Sequence, residues 1–299
     1  MKGLTFAAIL IHTSLFNTVT AQNASDATIG VNLPTAAAAP PATGVVYSGG
    51  HVLQNPTIQP IYWGHKTAGH IVGLVQPPMD LFYSEIVGSS YLLMPEYQVQ
   101  EATFNTSYFY EMDNGAVLDD TLDIQPFLIN LAKKGIIYPN QNTYYPVYVR
   151  VAGLLWNNLE SCTDFCYYRN SVTYANGQTI YYGVFPLYMS FCTPCTSISQ
   201  IANLIINSAM ALASAVTNPE ASSSSASQAS LGYVDSVSGV GIGELCRTVR
   251  KVSKLEEVFT VNGRYFQLPP LWSEKLQGCT ANFQTLAVPV AALLGAPTQ

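Results

Sequence analysis

The chain has 299 residues, of which only 10% are charged, with 18 acidic against 12 basic residues and a net charge of −6. That length holds one large domain or two ordinary ones with a substantial core. The acidic balance and the lack of a basic stripe argue against nucleic acid as a partner.

In chain order, Lys2, the apolar run 4–16 and the small residues Val19, Thr20 and Ala21 read as a signal peptide over 1–21. Residues 22–44, rich in Ala, Pro and Thr, read as a disordered leader, 45–283 as a single domain and 284–299 as a C-terminal tail. Sequons at Asn23 and Asn105 are compatible with a secreted glycoprotein. Within the domain, alternation predicts strands over 57–63 and 144–152, and helical spacing predicts helices over 79–87 and 123–134. Asn176-Gly177 and Asn262-Gly263 each signal a hairpin, and 222–230 is a serine-rich loop. The expected fold is therefore α/β, a mixed sheet with two hairpins packed on a long buried central helix.

That helix, 197–220, organises the rest, because the window 170–219 contains no Asp, Glu, Lys or Arg. Ile198, Ile201, Ile205, Leu212 and Val216 form one apolar face, with Asn203, Asn207, Met210 and Ser214 opposite. Thr196 or Ser197 caps its start, and Asn218-Pro219 ends it. It is long enough for a membrane, but Asn203, Asn207 and the serines are costly in lipid, so no span is expected after signal cleavage. The polar line either packs on the sheet or lines a groove, with Asp235 nearby, suited to a neutral ligand.

Six cysteines, all after Glu160, read as disulfides in an oxidising compartment. Cys162-x3-Cys166 and Cys192-x2-Cys195 also have the spacing of a four-cysteine zinc knuckle. Six cysteines allow fifteen pairings, and spacing alone does not choose among them.

These residues together resemble the phosphate-induced, or exordium-like, secreted family, and its bacterial and fungal relatives most of all. The resemblance runs through YSGGHVLQNPTIQPIYWG at 47–64, FYSEIVGSSYLLMPEY at 82–97 and LDDTLDIQPFLINL at 118–131. CTDFCYYRN, NGQTIYYGVFP and CTPC follow in order, then AVTNPE at 215–220, IGELC at 242–246 and VNGRYFQLPPLWSEKLQGC at 261–279. It implies a zincin-like layout, an extracellular or cell-wall location and an association with growth signalling. It also implies short local bridges Cys162–Cys166 and Cys192–Cys195, leaving Cys246–Cys279 as the third pair.

The departures from the family pattern bear on chemistry. Members commonly carry His-Glu-x-x-Glu before the Ala-Val-Thr-Asn-Pro segment, a spacing that suits a zinc-hydrolase helix. Met210, Ala211 and Ser214 stand at those positions, and a later Glu-Ile-x-Asp-x-Cys motif reads Gly241, then Glu244 and Cys246. A family histidine after the first cysteine pair is Arg169.

Other constellations are weaker. His51, His65 and His70 read as loop or surface histidines rather than a ligand set, no Gly-x-Ser-x-Gly elbow is present, and Asp235 and Glu244 read as solvated loop charges rather than a carboxylate pair for sugar chemistry. Trp63, Trp156 and Tyr167-Tyr168 could stack on sugars, though aromatic residues of a mixed fold are usually core. The expected function is a secreted, non-catalytic wall or surface protein with a degenerate motif, no metal and no cofactor, its partner a wall polysaccharide or a surface protein. The competing reading is an extracellular hydrolase, metallopeptidase or glycosidase, with a site elsewhere in the chain.

Overall fold

Strand Thr143–Val151 is the axis of the fold: Thr143 to Val149 and Val151 are buried, and only Arg150 is partly exposed. The computed structural model describes residues 44–65, 70–111, 117–174, 177–188, 192, 195, 199–220 and 231–283. The expected signal peptide, the leader up to residue 43, the tail, the Asn23 sequon, Thr196, Ser197, Ile198 and the serine-rich loop 222–230 lie outside them. Asn105 is exposed at the end of strand Thr103–Phe104.

The central strand pairs in parallel with Thr179–Tyr188 on one side and with Thr57–Ile58 and Ile61–Gly64 on the other. Thr103–Phe104 and Tyr108–Glu111 extend the sheet in parallel, and Tyr168–Thr173 closes the opposite edge antiparallel. The result is a seven-stranded mixed sheet in a single α/β domain. The expected strand over 57–63 is two strands, because Pro60 has no N–H to give the ladder.

Helices α1 (Ile71–Ile86), α2 (Gln125–Lys133), α3 (Gln200–Thr217) and α4 (Ile242–Thr248) cover the sheet. Tyr144 and Tyr148 of the central strand join the core built with α1, α3 and α4. Tyr145, Val147, Val149 and Val151 face the second core under α2. A strand covered on both faces is apolar throughout, so the alternation seen in its sequence does not mark a solvent side.

Helix α1 begins eight residues before the predicted start, running through Pro77 and Pro78. Two prolines normally end a helix. Here the buried stripe Val72, Val75, Met79, Phe82, Tyr83 and Ile86 offsets the lost hydrogen bonds. Helix α2 follows a π-helical turn, Asp120–Ile124, whose start is capped by Asp119 accepting from the Thr121 and Leu122 amides.

Helix α3 is the predicted buried helix. Its N-cap is Ser199, which accepts from the Ala202 amide, rather than Thr196 or Ser197. The faces differ from the expected ones. Ile201 and Ile205 are only half-buried, whereas every residue from Ser208 to Thr217 is buried. This is the one helix among the described residues long and apolar enough to cross a membrane, and two thirds of its apolar window lies inside the protein.

Both predicted hairpins form: Tyr168–Thr173 with Thr179–Tyr188, and Glu256–Phe259 with Tyr265–Leu268. The second turns at Asn262-Gly263, where Gly263 has φ +76°.

The cysteines form three disulfides, Cys162–Cys192, Cys166–Cys195 and Cys246–Cys279, with no free thiol. All six cysteines are thus in disulfides as expected, in place of a zinc knuckle, and Cys246–Cys279 pairs as expected, but the local pairs Cys162–Cys166 and Cys192–Cys195 are incorrect. The first hairpin explains the outcome. Cys162 and Cys166 sit in the turn before its first strand, Cys192 and Cys195 in the segment after its second. Antiparallel pairing brings the two segments side by side, so each cysteine meets a partner across the hairpin. Cα separations of 5.6 and 5.3 Å suit such bridges. Three disulfides are typical of extracellular proteins.

Candidate functional site

Helices α3 and α4 cross at unusually close range because glycines occupy the contact. A Cβ at Gly243 would lie 2.1 Å from the Met210 carbonyl oxygen, and one at Gly241 would lie 2.8 Å from Ser214 Oγ. The close approach lets Glu244, in the first turn of α4, face Ser214 on α3. The inner face of strand Tyr168–Thr173 supplies Arg169, and Tyr167 just precedes it.

These four side chains form one buried cluster. Ser214 donates a hydrogen bond to Glu244 Oε2 and accepts from the Gly243 amide at 2.9 Å. The Tyr167 hydroxyl donates to Glu244 Oε1 at 3.2 Å, and Arg169 Nε lies 3.7 Å from the same oxygen. Arg169 Nη1 also donates to the Asn218 carbonyl at 3.2 Å, just past the end of α3. Burial pushes the Glu244 carboxyl above its ordinary range, and the Arg169 charge and the Ser214 and Tyr167 hydrogen bonds oppose that shift.

The sequence positions singled out above therefore converge: Ser214, Gly241, Glu244 and Arg169 meet at this point, and Met210 and Ala211 lie wholly buried on the same helix. Their donors do not fit a metal. Met210 offers a thioether, Ala211 nothing, and the Ser214 hydroxyl is already spent on Glu244. The one carboxylate faces a guanidinium, which would repel a dication. No group of three His, Cys, Asp or Glu elsewhere among the described residues has metal-binding geometry.

Other expectations change. Neither Asp235 nor Glu244 is a solvated loop charge: both are buried, and Asp235 Oδ2 holds its own turn by accepting from Ser238 N at 2.8 Å and Ser238 Oγ at 2.7 Å. The four-residue groove is not formed, because Met210 and Ser214 have no exposed surface. Asn203 and Asn207 instead border a crevice of about 20 Å³ beside the Cys166–Cys195 bridge. Trp156, Tyr167 and Tyr168 are core residues, and Trp63 stacks on Phe127 at 4.1 Å. The His65 and His70 rings meet edge to face at 5.0 Å, and His70 contacts Arg150.

Two arrangements were not foreseen. On the far face of the sheet, buried Asp120 accepts from Tyr168 Oη at 2.6 Å and from Tyr182 Oη, Asn170 Nδ2 and Gln125 Nε2, each at 2.8 Å. The doubled aspartate in LDD was its only sequence signal, and Asp119 alone explains the cap.

The second is a cleft of about 510 Å³ where strands Thr143–Val151 and Thr179–Tyr188 begin, lined by His51, Asn140, Gln141, Gln178, Tyr181 and Glu220 among others. The His51 ring stacks on Tyr181 at 5.6 Å, and its Nε2 contacts the Gln141 carbonyl. Tyr181 Oη donates to Glu220 Oε1 at 3.3 Å, and burial together with that carboxylate pushes the phenol up to about 12. In the strand register Tyr181 faces Ser171 and Gly183 faces Arg169. Arg169 is therefore one side-chain step, about 7 Å, inward from the cleft wall on the same sheet face.

No family model, no curated protein and no solved structure matches this chain.

Proposed function

We propose that this chain is a secreted, non-catalytic protein of the exordium-like family, located outside the cell or in the wall and acting by binding. Three disulfides support the extracellular part of the reading. The order of motifs along the chain supports the family.

One observation carries the non-catalytic part. Where the family pattern has imidazole and carboxylates, Arg169, Ser214 and Glu244 satisfy one another in a closed interior cluster. A hydrolytic zinc site needs an open coordination position and a base for its water. Here both oxygens of the carboxylate are engaged, and both side chains of the ion pair are buried.

The test is to purify the protein from a secreting host, measure metals by elemental analysis and assay peptide and glycoside hydrolysis. The expected result is less than stoichiometric zinc and no turnover. One zinc per chain, or hydrolysis sensitive to a chelator, overturns the proposal.

A further inference from the structure

The cleft at the start of the two long parallel strands has the size of a small-molecule site, about 510 Å³. Its walls come from four stretches far apart in sequence: His51, the loop Asn140–Gln141, the strand start Gln178–Tyr181, and Glu220 beyond α3. Each is fixed by the sheet or its neighbours. His51 is held against Tyr181 and the Gln141 carbonyl, Gln178 donates to the Pro139 carbonyl at 3.4 Å, and Glu220 receives the Tyr181 hydroxyl. A cleft set up in this way needs little ordering when a ligand arrives.

Its chemistry selects among ligand classes. Among the described residues no Lys or Arg lines it and its one charged side chain is Glu220, so phosphates and other anions are disfavoured. One carboxylate and one imidazole are too few to enclose a hard cation, which takes six or more oxygens. The side-chain amides of Asn140, Gln141 and Gln178 each offer a donor and an acceptor, the pattern that pairs with adjacent hydroxyls. The His51–Tyr181 stack adds an aromatic wall for an apolar C–H face.

We propose that this cleft binds a neutral saccharide, with the amides of Asn140, Gln141 and Gln178 and the Glu220 carboxylate hydrogen-bonded to its hydroxyls. The proposal rests on the reading of an extracellular binding protein and names the class of ligand.

The experiment is calorimetric titration of the intact secreted protein with two probe sets. One is neutral tetrasaccharides of glucose, mannose, xylose and N-acetylglucosamine; the other is glycopeptides bearing neutral N-glycans. Binding to the first assigns free or wall polymer as the source, binding only to the second assigns glycoprotein, and either supports the site. The double variant Gln178→Ala/Glu220→Ala, at exposed or half-exposed positions, is expected to weaken binding by about tenfold or more with an unchanged melting midpoint. No binding to any probe, or binding that the variant leaves intact, overturns the assignment. A saccharide that is both bound and cleaved supports the cleft while overturning the non-catalytic reading, so the two fail separately.

Discussion

Arg169 Nε lies 3.7 Å from Glu244 Oε1, with both side chains almost wholly out of solvent. Taking two charges out of water is costly, and their attraction offsets that cost only while both are present. Arg169→Ala leaves the carboxylate alone in the core and is expected to lose about 3–5 kcal/mol. The double change Arg169→Met/Glu244→Leu is expected to lose less than the single one. Urea denaturation of the two variants decides it; a double variant less stable than the single one would show that the pair itself stabilises the fold.

Glu244 also gives stability a pH dependence. Its carboxyl is raised in the folded state by burial, so the folded protein holds that proton more tightly than the unfolded chain. The contribution is fully present below the unfolded value near 4.5 and is lost as pH rises toward the folded value. Glu244→Gln removes the titration. The stability of wild type minus that of Glu244→Gln, taken with its sign, should therefore be more positive at pH 4.5 than at pH 7.5. A signed difference that falls on acidification would reverse the assigned direction.

The α3–α4 crossing should tolerate no side chain at its centre. Gly243→Ala places a methyl 2.1 Å from the Met210 carbonyl, a backbone atom that cannot rotate away. Overpacking of this kind costs about 1–3 kcal/mol or more. Gly278→Ala, whose added methyl comes no nearer than 3.7 Å to any neighbour, is expected to change stability by about 0.5 kcal/mol or less. Equal thermal shifts for the two would remove the tight crossing from the account.

The bridge pattern is directly measurable. Fragmentation mass spectrometry of non-reduced peptides should return Cys162–Cys192 and Cys166–Cys195, with separations of 30 and 29 residues. Closing one such loop is worth about 3–4 kcal/mol in the chain-entropy account. The second, closed against the first, adds less, so replacing either pair alone with serine should cost less than half of replacing both.

The sequence made some of this legible and hid the rest for physical reasons. The charge-free window around α3 announced a buried helix, because its Asn and Ser residues are costly in lipid and so few charges are rare on a solvated helix. Its cap was misplaced by two or three residues, since several polar residues in a row offer the same hydroxyl chemistry. Pro77 and Pro78 concealed half of α1, as local propensity does not register the core that overrules it. The motif positions stood out one by one, yet their meeting depends on Gly241 and Gly243, whose role lies in the space they leave empty. The cleft had no local signal: His51 and Gln141 are 90 residues apart, and only the parallel pairing of the strands behind them puts them in contact.

The two bridges across the first hairpin also fix how the molecule responds to being cut. Any single peptide bond broken between Cys166 and Cys192, including one at the exposed Gly177–Gln178 tip, leaves two pieces that remain covalently joined at both Cys162–Cys192 and Cys166–Cys195. Gln141 and His51 would then stay tethered to Tyr181 and Glu220 across the nick. A protease acting on this segment yields a species that runs as one particle without reductant and as two with it.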